Sequence, residues 1–195
     1  MKKFFFLLCF AFTEFATAFA QEVSEHMTFK GIPIDGTLNN FVSKLAEKGF
    51  THIITNNGCA AFNGDFAGYK NCYIGVTSSA DKDLVTTVSV MFPTQDTWSA
   101  LVGNYFSLKE MLTTKYGKPL CSIETFQSYP QPEDDNQKMY ELKLNRCRYY
   151  TLFETEKGNV GLMLVHVVDL GCCASITYLD AINKKIVESD AIDDL

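Results

Sequence analysis

The sequence predicts an α+β fold of two tandem units, each a helix followed by antiparallel strands, with the helices packed on one face of the sheet. Three observations predict it. Two segments carry apolar residues at helical spacing, each of them stops at a glycine, and each is followed by segments with a period of two. A helix with one apolar stripe buries that stripe against a sheet. We expect the first unit at residues 21–93 and the second at 94–195, packed together as one globular body.

The first twenty residues are typical of a secretory signal peptide. Lys2 and Lys3 precede an apolar run at residues 4–12, and Ala18 and Ala20 are the small residues that a signal peptidase recognises. The run is too short to span a membrane, and no later stretch approaches the roughly 20 apolar residues of a membrane helix. The sequence therefore predicts cleavage after Ala20 and a mature protein that is periplasmic or secreted. A buried N-terminal helix is the alternative.

The first unit begins with a short amphipathic helix. Leu38, Phe41, Val42 and Leu45 lie at positions i, i+3, i+4 and i+7, and Gly49 ends the pattern. Alternation then predicts four strands, at residues 51–56, 59–67, 69–77 and 84–92.

The second unit repeats this plan. An apolar stripe predicts a helix at about residues 96–116, stopped by Gly117. Further strands are predicted at about residues 120–128, 138–146, 148–155, 159–168 and 172–179. Residues 129–137 form a polar loop, and the acidic end of the chain is expected to be a solvated tail. The stretch KNCY at 70–73 resembles NRCR at 145–148, which suggests an internal repeat with an insertion in its second half.

Several stretches of the mature chain resemble uncharacterised exported proteins of gut anaerobic bacteria. They are FKGIPIDGT at 29–37, GDFAGYKNC at 64–72, LKEML at 108–112, KYGKP at 115–119 and YLDAIN at 178–183. This resemblance implies no known activity. The helix-then-strands plan, done twice, is also similar to the tandem-repeat architecture of the β-lactamase-inhibitor-protein-like fold. That similarity implies a concave sheet that grips protein partners.

The composition argues against a nucleic-acid partner. The chain has 17 Lys and Arg against 23 Asp and Glu, a formal net charge of −6. Binding to a phosphate backbone depends on clustered basic residues, and only Arg146 and Arg148 approach a cluster.

Six cysteines follow the predicted cleavage site: Cys59, Cys72, Cys121, Cys147, Cys172 and Cys173. In an oxidising compartment an even number suggests disulfide bonds. The sequence does not choose among the pairings, although adjacent cysteines on a strand point to opposite faces and do not pair with each other. A zinc site is a weaker alternative because no C-x-x-C or Cys/His pair has ligand spacing. Free buried thiols are a third interpretation.

No motif for catalysis, a metal or a cofactor is visible. The three histidines are His26, His52 and His166, and none is accompanied by a nucleophile motif. No phosphate-binding glycine loop or calcium loop has the required spacing. We therefore expect no catalytic, metal or cofactor-binding residues and no cofactor.

Aromatic residues on the predicted strands are the remaining signal: Phe62, Phe66, Tyr69, Tyr73, Tyr140, Tyr149, Tyr150 and Phe153. Those on the helix-covered face would form the core, whereas those on the open face beside a basic residue would anchor a partner. The sequence thus suggests a candidate binding face of Tyr149, Phe153, Arg146 and Arg148.

These observations favour an exported, non-enzymatic binding protein of the cell envelope. Its partner would be an envelope or extracellular protein or glycan. Two alternatives remain open: a periplasmic hydrolase whose site is assembled from distant residues around His52 or His166, and a structural module of an envelope assembly.

Overall fold

The computed structural model of the protein describes residues 25–79 and 81–193. The predicted signal peptide at residues 1–20 lies outside the described residues. The first half of the described chain contains β1 (Thr28–Phe29), β2 (Ile32–Pro33), α1 (Leu38–Glu47), β3 (Thr51–Asn56), β4 (Cys59–Phe66), β5 (Tyr69–Ser79) and β6 (Leu84–Met91). The second half contains α2 (Trp98–Tyr116), β7 (Cys121–Phe126), α3 (Asp135–Lys143), β8 (Cys147–Thr155), β9 (Gly158–Val167), β10 (Gly171–Asp180) and α4 (Ala181–Asp193).

The strands correct the predicted fold class. β3 to β10 form one eight-stranded antiparallel sheet in the order β3-β4-β5-β6-β10-β9-β8-β7, and β1 and β2 form a small second sheet. The prediction of two helix-plus-sheet units is therefore wrong. The two predicted units merge because β6 does not end a sheet. Residues 87–91 of β6 pair with residues 175–179 of β10, so the backbone hydrogen bonds continue across the boundary expected at residue 93.

One apolar core runs along this sheet. Its centre is a row of cross-strand neighbours on β4, β5, β6, β10 and β9, all of them buried: Phe62, Ile74, Val90, Ile176 and Leu162. The row ends on β8 at Thr151, whose hydroxyl lies 2.6 Å from the Tyr105 hydroxyl of α2. α2 therefore covers this face, and its buried residues belong to the same core cluster as Phe41 and Leu45 of α1.

The predicted helices and most predicted strands are found within two residues of their expected ends. Two segments differ. Residues 138–146 were expected to form a strand, but α3 occupies residues 135–143, where Asp134 accepts a hydrogen bond from the Gln137 N–H and caps the helix. The acidic end of the chain, expected to be a solvated tail, forms α4. Asp180 caps its first turn in the same way, by accepting a hydrogen bond from the Asn183 N–H.

Candidate functional site

The face of the sheet opposite the core carries a symmetrical row of side chains, which we call the Tyr–Met row. Tyr73 of β5 pairs with Met91 of β6, and Met91 pairs with Ser175 of β10. Ser175 pairs with Met163 of β9, which pairs with Tyr150 of β8. Because neighbouring strands lie about 4.8 Å apart, the two tyrosines stand about 19 Å apart. The row therefore crosses the junction of β6 and β10 and places a Tyr–Met pair on each side of it.

Next to this row lies a floor of small residues. Gly75, Ser89, Thr177 and Gly161 are cross-strand neighbours on β5, β6, β10 and β9, and the Ser89 and Thr177 hydroxyls lie 3.1 Å apart. A Cβ added at Gly75 would meet nothing within 4 Å. The sheet surface is thus bare at this point.

Glycine also determines how Tyr150 lies. A Cβ added at Gly161 would approach the Tyr150 ring to 3.4 Å, so the ring lies over this glycine and close to the sheet. No residue of the Tyr–Met row or of the small-residue floor carries a charge. The two rows together, which we call the open face, present tyrosine rings and methionine thioethers beside hydroxyl groups.

The open face ends in two depressions. One has a volume of about 340 Å³ and is lined by Tyr73, Met91, Leu170 and Cys173 among others. The other lies between β8 and β9 and includes Val165, the cross-strand partner of Cys173. The two depressions are therefore neighbours across β9 and β10. Burial raises the pKa of the Cys173 thiol to about 11, so its reactive thiolate form is rarer than in an exposed cysteine.

Two of the residues that the sequence suggested for binding lie in or against the core. Phe153 is 1% exposed, and it is a cross-strand neighbour of the buried Val160. Tyr149 is half-buried and its ring contacts Trp98, Tyr105 and Phe126. These two side chains lie on the helix-covered side and not on the open face.

The two suggested arginines have different surroundings. Arg146 follows α3, and its Nε and Nη2 donate to the two carboxylate oxygens of Glu141 at 2.8 and 2.7 Å. These hydrogen bonds hold the pKa of Glu141 below its ordinary value. Arg148 is exposed on β8 and lines the depression between β8 and β9. The structure therefore brings only Arg148 of the four suggested residues close to the open face.

The six cysteines of the described chain are all free, so the expected disulfide bonds are not formed. They lie on five strands, β4, β5, β7, β8 and β10, and on both faces of the sheet. Cys72 and Cys172 are buried, Cys173 is buried on the opposite face, and Cys59 and Cys121 are exposed. Burial raises the pKa of Cys147 to about 12. In this arrangement the buried cysteines pack as small apolar residues.

The histidines lie far apart in the fold. His26 lies 3.1 Å from the buried carboxylate of Asp180, His52 lies 2.8 Å from the Thr55 hydroxyl on the exposed strand β3, and His166 lines the depression between β8 and β9. Within residues 25–79 and 81–193, no three His, Cys, Asp or Glu side chains are arranged to hold a metal ion.

No family model, curated protein or solved structure matches the chain. The resemblances noted in the sequence therefore stay expectations. In the described part of the chain, every helix is too short or too polar to cross a membrane.

Tyr73 and Tyr150 belong to the aromatic set seen in the sequence, but their faces were not assigned there. The face that each tyrosine occupies follows from its position in the alternation along the strand. Tyr150 and Leu152 alternate with Tyr149, Thr151 and Phe153, and the apolar character of both sets on β8 hides which set faces the helices. Met91, Met163 and Ser175 could be found only from the cross-strand register.

Proposed function

We propose that this protein is an exported, non-enzymatic binding protein of the cell envelope that holds a protein partner on its open face. The observation that carries the proposal is the Tyr–Met row, which flanks Ser175 with a methionine and a tyrosine on each side beside an uncharged floor. Tyrosine and methionine are enriched in protein interfaces, and charged residues are depleted from interface centres.

The residue types favour a protein over a glycan as the partner. Methionine side chains adapt to the shape of an apolar protein surface. Tyrosine offers a large contact area and a polar hydroxyl at little cost in conformational entropy. The bare surface at Gly75 leaves room for side chains of the partner to approach the sheet. The partner surface that fits is uncharged and partly apolar.

The alternative function, a periplasmic hydrolase, would be favoured by a histidine that lies in a deep pocket beside a carboxylate. His166 lines the depression between β8 and β9, but among the described residues no carboxylate oxygen lies within ion-pair distance of its ring. His52 lies on an exposed edge strand. Neither site supplies the observation that would favour this alternative.

Capture followed by affinity measurement tests the binding proposal. The mature chain is used to isolate a partner from envelope extract, and the purified partner is then titrated against the variants Tyr73→Ser and Tyr150→Ser. We expect each variant to bind more than about tenfold more weakly, because each removes an aromatic contact of the Tyr–Met row. The matched control is Tyr129→Ser, since Tyr129 is 98% exposed and lies outside the sheet. Unchanged affinity in both open-face variants, or an equal loss in the control, would contradict the proposal.

Export is tested separately by the mass of the protein recovered from its own cells. We expect a chain that begins at Gln21 in the periplasm or the medium. Recovery of a chain that retains residues 1–20 in the cytoplasm would contradict export without bearing on the open face.

A further inference from the structure

Strands β8 and β9 separate at one end of the sheet. The pairs that join them run from Thr155 and Gly158 to Tyr150 and Met163 and end there. Beyond that point, β8 continues to pair with β7 as far as Cys147, and β9 continues to pair with β10 as far as Val167. The two strands thus diverge while each keeps its other neighbour, and the gap between them is a cleft inside the sheet.

The β8–β9 cleft has a volume of about 620 Å³. This volume falls within the range of about 300–1,000 Å³ that is usual for small-molecule sites. Apolar side chains from β9 and from α3 line it, namely Leu142, Met163, Leu164 and Val165. Leu142 and Leu164 are also buried parts of the core, so the apolar wall is held in place by the fold.

An arginine and a histidine line the same cleft, Arg148 and His166. Within the described part of the chain, neither has a carboxylate within ion-pair distance or a side-chain hydrogen bond. Two acidic residues of the neighbouring elements α3 and β7 are already engaged: Glu141 bonds to Arg146, and Glu124 bonds to Lys109 at 2.6 Å. The guanidinium of Arg148 is therefore available to a ligand.

We propose that the β8–β9 cleft binds an anionic amphiphile, a small molecule with one acidic group and an apolar body. Arg148 pairs with the acidic group, since a guanidinium binds a carboxylate or a similar oxyanion through two parallel hydrogen bonds. The apolar body lies along Met163 and Val165, which lie on the same face of the sheet as Arg148. This site is distinct in ligand class from the open face and does not depend on the proposed protein partner.

The experiment compares dodecanoate with dodecanol, which share an apolar chain and differ in charge. Calorimetric titration below the micelle concentration is expected to give saturable binding of dodecanoate at one site and binding of dodecanol that is at least tenfold weaker. Arg148→Gln should weaken dodecanoate binding several-fold and leave dodecanol binding unchanged. The control Lys44→Gln removes an exposed cation on α1, which lies over the other half of the sheet, and should bind as the wild type does.

The location of the ligand is tested without a substitution. In a chain labelled at the methionine methyl groups, dodecanoate should shift the signal of Met163, which lines the cleft, and not that of Met111, which is exposed on α2. Absence of saturable binding, equal affinity for dodecanoate and dodecanol, or wild-type affinity in Arg148→Gln would each overturn the proposal.

Discussion

Asp180 lies at the end of β10 and has no solvent exposure. Both oxygens of its carboxylate have hydrogen-bond partners. It accepts hydrogen bonds from the backbone N–H groups of Met27 at 2.7 Å and Asn183 at 2.8 Å, and the ring of His26 lies 3.1 Å away. The Asn183 amide in turn donates to the Val85 carbonyl at 2.9 Å. A single carboxylate therefore joins the segment before β1 to the start of α4 and, through Asn183, to β6.

Replacing Asp180 tests this network. Asp180→Asn substitutes an N–H₂ group for one acceptor oxygen, so at least one of the two backbone N–H groups loses its partner. We expect a loss of about 2–4 kcal/mol in the free energy of unfolding, measured in urea. Glu110→Gln, the same chemical change on an exposed residue of α2, should change stability by less than about 0.5 kcal/mol. Equal effects of the two variants would contradict the role of Asp180.

The buried thiol of Cys173 predicts a loss of stability in alkali. Its pKa rises from an ordinary 9.0 to about 11 on folding, chiefly through burial. The folded state therefore holds this proton more tightly than the unfolded state, and its contribution to stability is complete below pH 9 and lost between pH 9 and 11. Unfolding curves at several pH values should show a shallower decline over this range in Cys173→Ala than in the wild type. Cys59→Ala, on an exposed thiol, serves as the control; an identical decline in all three proteins would contradict this prediction.

Elements differ in how far the sequence could predict them. α1 and α2 each carry several buried residues at helical spacing, so their position and ends followed from the pattern. α3 was missed because its nine residues are mostly polar and its buried apolar positions are only Met139 and Leu142. With so short a stripe, the capping group of Asp134 was the better signal.

The turn between β8 and β9 depends on a glycine. Gly158 has a φ of 139°, and a Cβ there would collide with the Leu179 carbonyl oxygen of β10. Gly158→Ala is therefore expected to lower the free energy of unfolding by more than about 2 kcal/mol. Gly103→Ala is the matched change in the middle of α2, where a Cβ meets nothing within 4 Å, and it should stabilise the protein by about 0.5–1 kcal/mol. The opposite order of stabilities in thermal unfolding would contradict this account of the turn.

At the scale of the molecule, the continuous sheet means that the two halves share a core. Ile74 on β5 and Leu162 on β9 lie in one buried row, joined through Val90 and Ile176. The alternation of residues along a strand predicts its faces, but it does not predict which distant strand becomes its neighbour. For this reason the pairing of β6 with β10 could not be predicted from the sequence.

The shared core predicts a single unfolding transition. Ile74→Ala leaves a cavity in the first half and should cost about 2–4 kcal/mol. Trp98, the one tryptophan of the chain, lies in the second half and reports its unfolding by fluorescence. We expect the variant to shift the fluorescence midpoint and the circular-dichroism midpoint in urea by the same amount. A Trp98 transition that stays at its wild-type midpoint would show two independent units.

The residues of the candidate site could be predicted from the sequence only in part, for the same reason. The sequence suggested Tyr149 and Phe153 for binding, but the residue on the open face is their neighbour Tyr150. A shift of one residue along a strand moves the side chain to the opposite face of the sheet. The type of residue was predictable from the aromatic content of the strands. Its partners in the Tyr–Met row were not, since they come from four other strands.

Methyl NMR of the methionines tests the binding proposal most directly. Met91 and Met163 lie on the open face, whereas Met111 is exposed on α2 and Met139 is buried in α3. On addition of the purified partner, we predict that the methyl signals of Met91 and Met163 shift or broaden together while those of Met111 and Met139 stay in place. Perturbation of Met111 with Met91 and Met163 unchanged would place the partner on the helices and contradict the account.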